Sequence, residues 1–179
     1  MYFAEEGKVN TEKTVELAIK AARENNIRHI VVASNTGMTA RQFVGAGLDI
    51  TCVTHAYGYG LPGTNEMTAK DREELTSQGI RVLTTTHVLS GAERALSSKF
   101  GGINPVEIMA NSLKMFGQGV KVCVEVAVMA LDAGMIPFGE SIIAVGGTGR
   151  GADTAVMLKP AHAKDILGTR IQEIICKPM

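Results

Sequence analysis

Apolar and polar positions along this chain follow two periods, and the switches between them mark its elements. Val15, Ala18, Ile19 and Ala22 fall at i, i+3, i+4 and i+7, the core-facing stripe of a helix. Asn10-Thr11 suits its start and Asn25-Asn26 its end. Ile30-Val31-Val32-Ala33 is an apolar run that reads as a buried strand, covering about residues 28–33. Ala40, Phe43 and Val44 then mark one face of a second helix, expected to end near Gly45-Ala46-Gly47. Residues 49–54 are short and β-branched, a second strand. A strand–helix–strand unit with such short connections implies parallel strands and a right-handed crossover.

Residues 55–64 hold too much Gly and Pro for regular structure and read as a loop. A polar helix over 68–78 and a strand over 81–85 follow. Ser90 and Glu93 have the spacing of a capping box, with Ala92, Ala95, Leu96 and Phe100 as the expected inner stripe of the helix behind it. Asn104, Pro105 and Glu107 repeat the signal for a helix that runs to Phe116-Gly117. Residues 120–132 are ambiguous, because their valines alternate as in a strand while Cys123, Ala127, Ala130 and Leu131 recur as in a helix. Length decides for helix, since so long a strand is unusual. Strands are expected over 141–145 and 154–158, paired antiparallel, and over 171–176 as a last edge strand. The sum is a single domain over 1–179, an α/β fold. It is a three-layer α/β/α sandwich whose mostly parallel sheet carries antiparallel edge strands.

In such sheets ligands bind beyond the carboxyl ends of the strands, where the winding reverses. Four segments would share that rim: 34–39, 55–64, 84–87 and 146–151. The first, Ser34-Asn35-Thr36-Gly37-Met38-Thr39, joins a strand directly to a helix. Free backbone N–H groups and the positive end of the helix dipole favour an anion there. It reads equally as a phosphate cradle or as a plain capped loop with Thr36 as N-cap. The second segment brings His55, Tyr57 and Tyr59; the third ends in His87. A histidine on that rim suits general acid–base work or the capping of a strand end, and the second is the commoner role. The fourth segment, Gly146-Gly147-Thr148-Gly149-Arg150, offers a flexible backbone and one cation able to pair with a phosphate.

Composition narrows the choices. The 179 residues carry 18 basic and 18 acidic side chains, a formal net charge of zero, and no basic cluster. Nucleic acid and anionic membrane are therefore not expected as main partners. Cys52, Cys123 and Cys176 lie far apart in apolar stretches, which suggests buried thiols rather than a disulfide framework or a metal site. The start of the chain lacks a signal-peptide pattern, and the longest apolar region contains Lys121, Glu125 and Asp132. A cytoplasmic protein is expected, and a homo-oligomer is compatible with the methionines Met109 and Met115 on one helix.

With these residues in view, a family likeness emerges. The runs 30–40, 50–54, 139–147 and 154–157, in that order, are similar to the C-terminal α/β domain of pyruvate kinase, above all to stand-alone proteins made only of that domain. Segments 57–67 and 89–116 look like additions. The resemblance implies that Ser34, Asn35, Thr36, Gly37 and Thr39 hold a phosphate and that loop 146–151 closes over the ligand. It implies no catalytic residues and no pyruvate kinase activity. Met38 stands where the kinase loop often carries a basic residue, so the ligand is expected to differ from a sugar bisphosphate. Stand-alone members resemble flavin mononucleotide (FMN) binders, and Met38, Tyr57 and Tyr59 would suit a flat ring. The expected ligand is small and phosphorylated, with FMN as the cofactor; the alternative is a regulatory sensor of a sugar phosphate without turnover. No reaction is assigned.

Overall fold

The computed structural model describes residues 1–179. Seven strands form one sheet: β1 (Tyr2–Phe3), β2 (His29–Ala33), β3 (Asp49–Val53), β4 (Arg81–Leu83), β5 (Ile142–Gly146), β6 (Thr154–Lys159) and β7 (Arg170–Pro178). Their spatial order is β1-β7-β6-β5-β2-β3-β4. β5, β2, β3 and β4 are mutually parallel, and β6 runs antiparallel to both β5 and β7. Six helices accompany them: α1 (Thr11–Glu24), α2 (Met38–Arg41), α3 (Ala69–Ser77), α4 (Gly91–Phe100), α5 (Pro105–Lys114) and α6 (Gln118–Asp132).

Period-2 alternation puts the two sides of each strand into different cores. Ile30, Val32, Ile143 and Val145 face the layer of α1, α2 and α3, where Val15, Ala18, Phe43 and Leu75 are buried. Val31, Ala144 and Val156 face α6, which contributes Val120, Cys123, Ala127 and Ala130. Helices on both faces make the expected three layers. α6 settles the ambiguous region as a helix, since eleven of its fifteen residues are buried. All three cysteines are buried free thiols. Burial pushes the Cys52 thiol up to about 12 and raises Cys123 and Cys176 as well.

Several boundaries differ from the sequence reading. α2 is a single turn, because beyond Arg41 the backbone tightens into i to i−3 bonds (Phe43 N–H to Ala40 O, Val44 N–H to Arg41 O). β4 stops at Leu83. The strand β7 is not the edge: β1, absent from the hydrophobic pattern because it has two residues, pairs beside it in parallel. The Ser90–Glu93 capping box does not form. The Glu93 carboxylate instead accepts from Val106 N–H of α5 at 2.8 Å. The stripe Ala92, Ala95, Leu96 and Phe100 is not an inner one either, as α4 buries no residue. The Asn104–Glu107 box is present as expected. No helix is long and apolar enough to cross a membrane.

Candidate functional site at the strand C-terminal rim

The winding reverses between β2 and β5. From β2 the chain moves through β3 to β4 on one side, then returns by α4, α5 and α6 to β5 on the other. Val32 pairs with Val145, so the chain leaves these two strands at adjacent points. The loops 34–39 and 146–151 are therefore neighbours at the position where open α/β sheets take ligands. The loops after β3 and β4 continue the rim outward.

The early loop is built on its own hydroxyl. Ser34 is tied to the sheet by its N–H to Val53 O at 2.9 Å, and its buried Oγ accepts from Thr39 N–H at 3.2 Å. Ser34, not Thr36, thus supplies the side-chain cap, while Thr36 is exposed. Gly37 turns the chain with a φ of +84°, and a Cβ there would sit 2.6 Å from Leu75 Cδ1. Thr39 is buried, and Met38 is exposed. The amides of Asn35, Thr36, Gly37 and Met38 donate to no protein atom. Successive free N–H groups around a left-handed residue are backbone geometry that can cradle an anion. The one-turn α2 adds little dipole, so an anion here would rest on amides and hydroxyls. The nearest cation on α2 is already engaged: Arg41 bonds Asp71 at 2.7 Å and Glu74 at 2.9 Å. That pairing holds Asp71 below its ordinary carboxylate value and raises Arg41.

A buried carboxylate shapes the late loop. Asp153, with no exposed surface, accepts from Gly7 N–H at 2.8 Å, Thr148 N–H at 3.0 Å and Thr154 Oγ1–H at 2.7 Å. Ala152 N–H donates to Thr11 Oγ1 at 3.0 Å. Gly151 (φ +78°) lies so close to Lys8 that a Cβ would be 2.7 Å from Lys8 Cα. The base of the loop is thereby fixed to the segment before α1. Gly149 and Arg150 at its tip are exposed, and the amides of Gly147, Gly149, Arg150 and Gly151 have no protein acceptor.

Farther along the rim, His55 and His87 come together. Their ring centroids are 5.4 Å apart, and Tyr59 lies 3.9 Å from His55 and 5.6 Å from His87. His55 Nδ1 meets Glu66 Oε2 at 2.5 Å, which orients the ring. Burial lowers the His87 pKa; Glu125 opposes that shift, and His55 and Lys121 add to it. Tyr57 does not join this group. Its hydroxyl donates to Gly63 O within its own loop, and the ring next to the histidines is that of Tyr59.

Two residues that organise the rim escaped the sequence reading. Glu125 is buried in α6, pairs with Lys121 Nζ at 2.5 Å and accepts from Leu89 N–H at 3.0 Å, which fixes the chain beyond β4. Its i, i+4 spacing from Lys121 inside an apolar run was the available signal. Asp153 gave none, because its partners are as far away in sequence as Gly7.

This architecture is a three-layer α/β domain with two amide-rich turns at its switch point. The family model of the pyruvate kinase alpha/beta domain matches residues 12–159, and the chain belongs to that family. Among solved structures it is similar to a pyruvate kinase from Cryptosporidium parvum at 16% identity, over 75% of this chain and 20% of that one, with a TM-score of 0.40. The enzyme from the same organism in complex with ADP matches at 16% identity over 94% of this chain and 24% of that one, with a TM-score of 0.41. The chain thus spans between a fifth and a quarter of the length of those chains.

Proposed function

We propose that this protein binds a small phosphorylated ligand, flavin mononucleotide, at the switch point between β2 and β5. The observation that carries the reading is the pair of adjacent loops whose amides at Asn35–Met38 and at Gly147, Gly149, Arg150 and Gly151 lack protein acceptors. One phosphate would lie on Asn35, Thr36, Gly37 and Thr39, with Ser34 holding that turn in shape. Arg150 would supply the pairing cation from the facing loop. A single such cation favours a monophosphate over a bisphosphate. Exposed Met38 and the Tyr59–His55–His87 group would flank the larger part of the ligand. The protein would bind and orient this group, and the flavin would supply any hydride chemistry. We assign it no pyruvate kinase turnover.

The absorption spectrum of the purified protein tests this reading, with flavin bands in the near ultraviolet and blue expected. FMN at a hundred times its dissociation constant should stabilise the fold by about 2.7 kcal/mol. Thr36→Glu, which places a carboxylate among the free amides, should abolish that gain. A colourless protein stabilised by a sugar phosphate and not by FMN would make the chain a metabolite sensor instead. Unchanged affinity in Thr36→Glu would remove the site itself.

A further inference from the structure

The segment between β4 and α6 adds a helical hairpin in which α5 packs on α6 while α4 leaves its large apolar side chains in solvent. α4 packs chiefly on α5, joined to it by side-chain hydrogen bonds. Glu93 accepts from Val106 N–H, Asn104 Nδ2–H donates to Glu93 O at 3.2 Å, and Ser97 Oγ–H donates to Glu107 at 2.7 Å. The large side chains remain outside: Leu96, Phe100 and Ile103 are 50%, 74% and 79% exposed. A helix of ten residues is marginal on its own, and α4 gains no apolar burial to offset that.

α5, on which α4 packs, forms one wall of an apolar groove of about 370 Å³, flanked by α6, β7 and the turn Ala163–Gly168. Ile108, Met109, Leu113, Val124, Leu167 and Ile171 line it. The ridge therefore adjoins a groove of the same chemistry, since Leu89, just before α4, also lines it. Monomers rarely expose more than a few hundred Å² of contiguous apolar surface. Leu96, Phe100, Ile103, Ile108, Leu167 and Ile171 are each at least 41% exposed, and together they supply a large part of the ~800 Å² that one partner of a stable dimer buries. The charges do not oppose self-association, since Arg94, Lys99 and Lys114 are nearly balanced by Glu93 and Glu107.

We propose that this face is the interface of a two-fold homodimer, in which the Leu96–Phe100–Ile103 ridge of each copy enters the α5–α6–β7 groove of the other. A ridge and a groove on one surface are what an isologous contact requires, because each copy then supplies both halves. The inference is independent of the ligand.

Sedimentation of the full chain tests it, with a mass twice 19.0 kDa expected. Phe100→Lys on the ridge and Leu167→Glu at the groove mouth should each weaken association by about thirtyfold or more. Both residues are exposed, so circular dichroism should remain that of the folded chain. Mixing the two variants should restore the dimer, since one contact becomes Lys against Glu and the other is the original Phe against Leu. A monomeric wild type, a Phe100→Lys dimer of unchanged affinity, or a mixture that stays monomeric would overturn the proposal. So would a monomer that binds phosphatidylcholine vesicles through this face.

Discussion

α4 and α6 are both helices with apolar stripes, yet they meet opposite surroundings. α6 lies across the sheet, and Val120, Cys123, Ala127 and Ala130 lose nearly all contact with water. α4 hangs beyond α5 and buries nothing. Periodicity specifies which side of a helix is apolar; it does not specify what that side will meet. Where the fold supplies a sheet, the stripe becomes core. Where it supplies only the polar side of another helix, the stripe becomes available surface, which in this molecule lies beside a groove able to receive it.

Substitutions on the two helices should separate these cases. The largest effect is expected at Gly119, where α6 approaches β6 so closely that a Cβ would collide with the Thr154 side chain and lie 2.9 Å from Asp153 Oδ1. Gly119→Val should cost more than about 4 kcal/mol in urea unfolding or prevent folding altogether. A stable Gly119→Val protein would show that α6 is free to shift on the sheet. Next comes Lys121→Met, which strands the Glu125 carboxylate in the core. A loss of about 3–5 kcal/mol is expected, and most of it should return in the double variant with Glu125→Leu. No recovery would mean that the Glu125 bond to Leu89, rather than the ion pair, is what matters.

His87, packed near Glu125 and Lys121, should give a smaller, pH-dependent effect. Its pKa is lowered in the folded state, so below about pH 6.5 the unfolded chain binds more protons than the folded one. Its contribution to stability is complete above that value and is lost as pH falls through the lower folded pKa. His87→Gln should flatten that part of the stability profile; an unchanged slope would assign it to other groups. The smallest effect belongs to α4, where Phe100→Lys should change the stability of the monomer by less than about 0.5 kcal/mol while changing its association.

The rim shows the same division between local and distant causes. Ser34, Asn35, Thr36, Gly37, Met38 and Thr39 were recognisable because a strand that ends in hydroxyls and glycine and turns into a helix is a pattern within a few residues. The structure moved the capping role from Thr36 to Ser34 and shortened the helix to one turn. His55 and His87 were each visible at a strand end, but their approach depends on β3 and β4 being neighbours, and it is Tyr59, not Tyr57, that the loop brings beside them. Asp153 acts on Gly7 across the whole fold, and no spacing rule reaches that far.

By itself the sequence determined the elements of this protein. Period 3.6 and period 2, caps at Asn104 and turns at glycine act over one to three helical turns, and they yielded the α/β class, the central parallel strands and the rim that follows from them. Tertiary structure alone decided the partners. Pairing of β1 with β7, burial of the Lys121–Glu125 pair, anchoring of the late loop by Asp153 and the exposure of α4 all depend on which surfaces meet. Packing free energy belongs to pairs of surfaces rather than to a stretch of chain, and so a one-dimensional pattern does not contain it.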